Sequence, residues 1–168
     1  MRRPYRKSNR YCGVCDCGDH AWAILTKGYI TLVSPEDAHL LQERKWHATK
    51  RGSTTYAEGN PHIALHRLIA GGEADVDVDH KDHNGTNNRR GNLRPCSRSQ
   101  NLGNSRHRVG ASGFRGVTPE KRTGRWQAQI ARLKLGTFPT AEAAARAYDA
   151  AAIERFGHFA SLNFEGSE

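Results

Sequence analysis

Residues 77–93 read DVDHKDHNGTNNRRGNL. An acid and a histidine stand side by side at Asp79-His80, and after Asp82 come asparagines and arginines with no further acid until Glu120. Within that acid-free window fall Arg89, Arg90, Arg94, Arg98, Arg106, Arg108 and Arg115. Seven cations without an anion repel one another unless something negative lies against them, so the window reads as a surface for a polyanion. The alternative is a solvated loop. Adjacent side chains on an extended strand face opposite ways, so Asp79 and His80 can serve one centre only if the strand end bends or another element supplies the remaining ligand.

The rest of the composition agrees. The chain has 168 residues and a formal charge of +9, with an isoelectric point near 9.8. That length gives room for one domain or two small ones. The charge favours phosphate, because clustered Lys and Arg release counterions on binding it, and nucleic acid is the first candidate. No apolar run of about 18 residues offers a membrane span, and the basic start MRRPYRKSNRY leads into no apolar signal region. The expectation is a soluble, cytoplasmic protein without membrane contact.

Moving outward, WAILTKGYITLV (22–33) gives two apolar runs around Lys27-Gly28, a hairpin signal. In SPEDAHLLQERKW (34–46), Ser34 as N-cap, Pro35 at the first position, and Glu36 and Asp37 in the first turn predict a helix over 35–43. Strands are expected over 46–49 and 54–58, and a short helix in IALHRLIAG (63–71), closed by Gly71. The run GNSRHRVGASG (103–113) is small, flexible and without apolar period, hence a linker. Beyond it, GFRGV, RWQAQIA and LKLGTF read as three strands. TAEAAARAYDAAAIERFG (140–157) reads as one helix, capped by Thr140 and stopped by Gly157.

Phosphodiester hydrolysis requires a deprotonated water and a cation to stabilise charge on phosphate. A neutral histidine has the pKa to take the proton, and a hard oxygen ligand can hold Mg²⁺. Asp79-His80 offers both. Asn92 follows Asp79 by thirteen residues and Asn101 by twenty-two, within VDHKDHNGTNNRRGNLRPCSRSQN, with LHRLIAG upstream. In this pattern the chain resembles the HNH nuclease family, in its homing-endonuclease-like branch, where a β-hairpin and a following helix clasp one metal ion. The resemblance implies Asp79 as anionic metal ligand, Asn101 as amide-oxygen ligand, His80 as general base and Asn92 as brace of the histidine loop, with Mg²⁺ or Mn²⁺ bound. With one negative charge among these ligands, the metal should bind weakly until DNA phosphate adds oxygens. His83, beside Asn84-Gly85, reads as a turn residue, and His66 as a packing or substrate-positioning residue.

From Gly113 to Pro139 there are six cations, Arg115, Lys121, Arg122, Arg125, Arg132 and Lys134, against Glu120; from Thr140 onward acids outnumber bases. The sheet is basic and the helix acidic, so the sheet should meet DNA while Ala144, Tyr148, Ala151 and Ala152 back it. A plain packing domain would leave the arginines unexplained. Through FRGV, GRW.A.I, LGTF.TAEAAARAYD.AA and G..A.LNF the stretch resembles the Apetala2/ethylene-response-factor DNA-binding domain. The resemblance implies DNA contacts from Arg115, Arg125, Trp126 and Gln129, and more loosely from Arg122, Arg132 and Lys134. Two departures are a connection before Leu135 several residues shorter than usual, and Ala131 in place of the family's arginine. Both bear on base readout more than on phosphate contacts.

Four cysteines, three of them in CGVCDCGDH (12–20), suit a reducing compartment. Cys12, Cys15, Cys17 and His20 supply four potential zinc ligands at crowded spacing, with Cys96 as a substitute for one of them; the alternative is a reduced segment with solvated thiols.

The expected architecture is α+β. A basic, cysteine-containing leader (1–21) precedes an HNH domain (22–104) with a small β-rich region and a ββα-metal motif. A basic linker (105–112) then joins it to an Apetala2-like domain (113–168), a three-stranded antiparallel sheet packed on one helix. The expected activity is metal-dependent endonuclease cleavage of double-stranded DNA, homing-type and of phage or mobile-element origin, by a monomer or weak dimer, as nicking or as a double-strand cut by two protomers. The rivals are a DNA-binding regulator with an inert nuclease part and a structural RNA-binding protein; the latter lacks aromatic stacking pairs.

Overall fold

The computed structural model describes residues 11–71, 76–104 and 109–164. The first ten residues of the basic leader and the linker residues Arg106 and Arg108 lie outside them. The fold is mixed α+β, with several small sheets and few helices. The chain divides into two units between Ser97 and Arg98.

In the first unit, β1 (Cys12–Val14), β2 (Ala21–Ile24) and β3 (Ile30–Val33) form an antiparallel meander. The hairpin between β2 and β3 turns through Lys27 and Gly28, both at positive φ, where glycine costs nothing. Pro35–Asp37 is a 3₁₀ turn running into α1 (Ala38–Glu43). Ser34 does not cap that helix with its side chain: its Oγ accepts the Arg90 backbone N–H at 2.9 Å. Asp37, expected only to favour the helix dipole, is buried and accepts two hydrogen bonds from the Arg90 guanidinium at 2.8 and 2.7 Å. A tertiary partner has taken both capping groups.

Next, β4 (Trp46–Arg51) and β5 (Thr54–Gly59) form a six-residue antiparallel ladder, and β6 (Ile63–Ala64) joins the far end of β5. Helix α2 (Leu65–Ala70) ends at Gly71 in the left-handed region. Strands β7 (Asp77–His80) and β9 (Leu93–Cys96) pair antiparallel, with Asp79 opposite Arg94 and His80 opposite Leu93. The loop between them carries β8 (Asn87–Asn88), which pairs parallel to β3. The core gathers Ala21, Val33, Leu41, Trp46, Leu65 and Ile69 with Val78 and Leu93.

The second unit opens with α3 (Arg98–Asn104). Strands β10 (Val117–Glu120), β11 (Arg125–Ile130) and β12 (Leu133–Phe138) follow in one antiparallel sheet, and α4 (Ala141–Phe156) covers one face. The first strand begins at Val117, and GFRG is a turn. Gly113 and Gly116 both have positive φ there, which extended pairing excludes. Thr140 Oγ1 caps α4 by accepting Ala143 N–H at 3.1 Å. Ala144, Ala145, Tyr148 and Ala152 are buried beneath the sheet. Asp149 is buried too, accepting the backbone N–H groups of Asn163 and Phe164 at 2.9 and 3.0 Å, so the LNF end is tied to the helix.

Gly116 has a sharp role. Its φ is +71°, and a Cβ there would lie 2.6 Å from Gln129 O and inside the Tyr148 ring. Left-handed backbone costs a non-glycine residue about 1–2 kcal/mol and overpacking about 1–3 more. Gly116→Ala is therefore expected to destabilise the second unit by about 2–5 kcal/mol, read as a lowered urea midpoint, whereas Gly124→Ala, with nothing within 4 Å of its Cβ, pays the backbone part alone.

Candidate functional site

The 81–92 loop is built from its own polar side chains. Asp82 Oδ1 accepts Asn84 N–H at 2.8 Å and Asn92 Nδ2 at 2.9 Å, and its Oδ2 accepts Asn87 Nδ2 at 2.7 Å. Asn92 returns the contact, Oδ1 accepting Asp82 N–H at 3.1 Å, and its Nδ2 also reaches Asn87 O at 2.7 Å. Partial burial pushes the Asp82 carboxyl up, but the donors from Asn87, Asn84 and Asn92 together hold it below its ordinary value. The loop is thereby closed on itself by polar side chains. Gly85 is required where it passes over β5, since a Cβ there would sit 2.6 Å from Thr55 O.

His80 is buried at the end of β7. Its Nε2 lies 3.2 Å from Asn88 Oδ1. The Asn88 amide has a fixed orientation, because its Nδ2 donates to Thr31 Oγ1 at 2.8 Å and, more weakly, to Thr86 O at 3.3 Å. An oxygen therefore faces the imidazole, Nε2 carries the proton, and Nδ1 is the basic nitrogen. Burial pushes the His80 pKa down, against smaller upward pulls from Asn88, Asp82 and Asp79, so the ring is held neutral. The tie to the histidine belongs to Asn88; Asn92 braces the Asp82 side of the loop. Only the three-dimensional pairing of β8 with β3 brings Asn88 and Thr31 together, and no sequence spacing signals it.

Asp79, on the same strand, is buried and faces β9. Its Oδ2 accepts Arg94 Nε at 2.8 Å, and Arg94 Nη2 also lies 2.8 Å away. Arg94 is thus an internal ion-pair partner, 14% exposed. The register of β7 on β9 puts a carboxylate directly across from it, so its guanidinium is engaged within the first unit. Arg90 is likewise held by Asp37, and Arg89 donates to Asn87 Oδ1 at 3.0 Å. Asn101 and Arg98 lie on α3, in the second unit.

His66 packs edge-on to His80, ring centroids 5.0 Å apart at 77°, and both rings meet Tyr56. Burial, with lesser contributions from the His80, Arg67 and Arg51 charges, pushes its pKa from 6.5 down to about 3. Its Nδ1 is buried without a hydrogen-bond partner. Above pH 6.5 both folded and unfolded states hold it neutral and it contributes no slope. Between 6.5 and about 3 the unfolded chain binds a proton that the folded one refuses, so stability falls as pH falls, by up to about 1.4 kcal/mol per pH unit. His66→Gln is expected to flatten the fall of the urea midpoint over that window; an unchanged slope would remove His66 from the account.

In the second unit, Arg125 and Gln129 are exposed on β11, with Arg122, Arg132 and Lys134 exposed around them. Arg115 and Trp126 are less open than these. Arg115 is 7% exposed, its Nη2 donating to Gly103 O at 3.0 Å and its guanidinium lying over the Tyr148 ring. Trp126 is half-buried and packs against the core beside Phe114, Leu135 and Phe138. The alternation Arg125, Trp126, Gln127, Ala128 already puts Trp126 and Ala128 on one face, but burial of Arg115 follows from the turn at Gly113–Gly116, which local sequence does not reveal. The shortened connection is a two-residue turn, Ala131-Arg132, with both residues at positive φ.

Near the start of the first unit, Cys15, Cys17 and His20 converge, while Cys12 packs against the core. Among the described residues no helix is long and apolar enough to cross a membrane.

Comparison with known proteins gives two kinds of relative. The AP2 domain family matches residues 112–158. Within that region the chain is similar to an AP2/ERF and B3 domain-containing protein of Oryza sativa subsp. japonica, 52% identical over 61 residues, 34% of this chain and 16% of that protein. It is also similar to an AP2-like ethylene-responsive transcription factor of Arabidopsis thaliana, 55% identical over 62 residues, 33% of this chain and 12% of the relative. The chain thus spans only a small part of these plant proteins. The second kind is an uncharacterized HNH endonuclease of Acanthamoeba polyphaga mimivirus, 31% identical over 146 residues, 82% of this chain and 76% of the viral one. This chain belongs to that HNH endonuclease family. Within the HNH family chain the AP2 domain coincides with the basic sheet and α4. No solved structure matches the chain.

Proposed function

We propose that this HNH family protein is a metal-dependent endonuclease that hydrolyses phosphodiester bonds of duplex DNA, its exposed β11–β12 surface supplying site recognition. The observation that carries the reading is the neutral His80, its Nε2 proton fixed by Asn88 and its Nδ1 therefore basic. His80 takes a proton from water at Nδ1. Asn88 holds the tautomer through the transfer and Thr31 holds Asn88. Arg125, Gln129, Arg132 and Lys134 orient the duplex through phosphate and base contacts.

The donor chemistry suits a hard cation. Asp79 is the carboxylate ligand within the first unit. Mg²⁺ or Mn²⁺, when bound, supplies positive charge to the phosphate and leaving oxygen. Arg94 shares the Asp79 carboxylate, so metal loading has a cationic competitor; this supports weak metal affinity without DNA. The same pair favours a second reading, a DNA-binding regulator whose nuclease part stays inert because Asp79 remains locked to Arg94. Incubation of supercoiled plasmid with Mg²⁺, with and without EDTA, separates the two. Open-circular product that EDTA abolishes supports the endonuclease; intact plasmid beside a retained gel shift, on DNA from several sources, supports the regulator. Cytoplasmic or nuclear residence and a monomeric or weakly dimeric state on DNA belong to the same proposal.

A further inference from the structure

The turn between β1 and β2 is a second candidate centre, independent of His80. Cys15 N–H donates to His20 O at 2.9 Å and Gly18 N–H to Cys15 O at 2.9 Å, with Gly18 at φ 76°. The backbone therefore folds the six residues Cys15–His20 into a closed knuckle before any side chain is considered. Their three donor atoms, two sulfurs and one ring nitrogen, all lie within 4.8 Å of one another. Cys17 Sγ and His20 Nδ1 are 3.6 Å apart. A zinc ion at about 2.3 Å from sulfur and about 2.0–2.1 Å from nitrogen, in tetrahedral geometry, requires a separation of roughly 3.6 Å. Two thiolates and a neutral imidazole cancel the charge of a divalent ion, and soft sulfur donors select zinc over magnesium. Asp16 and Asp19 are exposed in the same turn and add negative potential.

Cys12 is not the fourth ligand. It lies on β1 and packs against the apolar core, while Cys15, Cys17 and His20 gather at the turn. Cys96 is buried on β9 and accounted for by its contact to Asp77 O at 3.5 Å. We infer that Cys15, Cys17 and His20 form a three-ligand zinc site with its fourth position open to water, fastening the β1–β2 turn.

The test uses the full chain, purified reduced, stripped and titrated with Zn²⁺ against a chromophoric chelator, and in parallel with Co²⁺ followed by absorbance. One zinc per chain and a sulfur-to-cobalt charge-transfer band of two-thiolate intensity are expected. Cys17→Ser should halve that band. Both Cys17→Ser and His20→Ala should weaken zinc by more than the ~10–100-fold that follows loss of a mere outer partner. Cys12→Ala and Cys96→Ala should keep stoichiometry and band. Absence of the band, retention of tight zinc in Cys17→Ser, or its loss in Cys12→Ala would each overturn the assignment. None of these readouts depends on DNA cleavage, so failure here leaves the endonuclease reading intact, and the reverse.

Discussion

His80→Ala lowers the rate of plasmid nicking in Mg²⁺ by about 10²–10⁴-fold, the range supplied by a positioned general base, while the gel shift on duplex DNA is retained. The retention follows from where the proposed duplex contacts sit, since Arg125, Gln129, Arg132 and Lys134 belong to the second unit. Asn88→Ala gives a smaller loss, about 10–100-fold, typical of removing the partner that orients a site histidine, because Nε2 loses the acceptor that fixes its proton. Thr31→Val acts in the same direction and more weakly, through the Asn88 amide. Rates measured on folded variants, with far-ultraviolet dichroism as control, check the series. Equal rates for wild type and His80→Ala would end the general-base assignment.

The second large effect is on stability. Arg94→Ala leaves the Asp79 carboxylate, 7% exposed at its side chain, without its guanidinium. Breaking a buried ion pair from one side costs about 3–5 kcal/mol, because the remaining charge stays desolvated. Removing both, as Asp79→Asn with Arg94→Met, costs less than Arg94→Ala alone, so the double-mutant cycle shows strong coupling. Urea unfolding of the four proteins measures it. Additive losses would mean the pair contributes nothing beyond packing. Arg94→Ala also removes the cation competing for Asp79, so Mg²⁺ affinity without DNA, read by calorimetry, rises in whatever fraction remains folded.

Local patterns carried much of the architecture. Alternation and turn residues gave the β2–β3 and β4–β5 hairpins, and alanine density between Thr140 and Gly157 gave α4, because these elements are decided by near neighbours. What local sequence does not carry is cross-strand register. Whether Arg94 faces DNA or Asp79 depends on β9 pairing with β7 as Asp79 opposite Arg94, and a one-residue slip would reverse it. Ser34 and Asp37 look like helix-start residues until Arg90, fifty-odd residues on, is found to hold both. A basic composition likewise does not say which arginines are internal: Arg115 counts toward the charge of the window yet is buried against Tyr148. The Asp79-His80 pair was legible as chemistry, and its orienting residues were not.

The bond from Asn88 to Thr31 joins residues 57 positions apart, and the short parallel pairing of β8 with β3 joins residues 55 apart. Contacts of that separation must close a long loop before they gain anything, so they form late in folding. On a growing chain the histidine motif cannot be oriented until residues as far as Leu93 have been synthesised and have returned to the first hairpin. A proteolytic fragment that keeps residues 77–96 but loses 30–33 would carry Asp79, His80 and Asn92 with its imidazole unaimed. The arrangement ties the orientation of the His80 ring to completion of the first unit's fold.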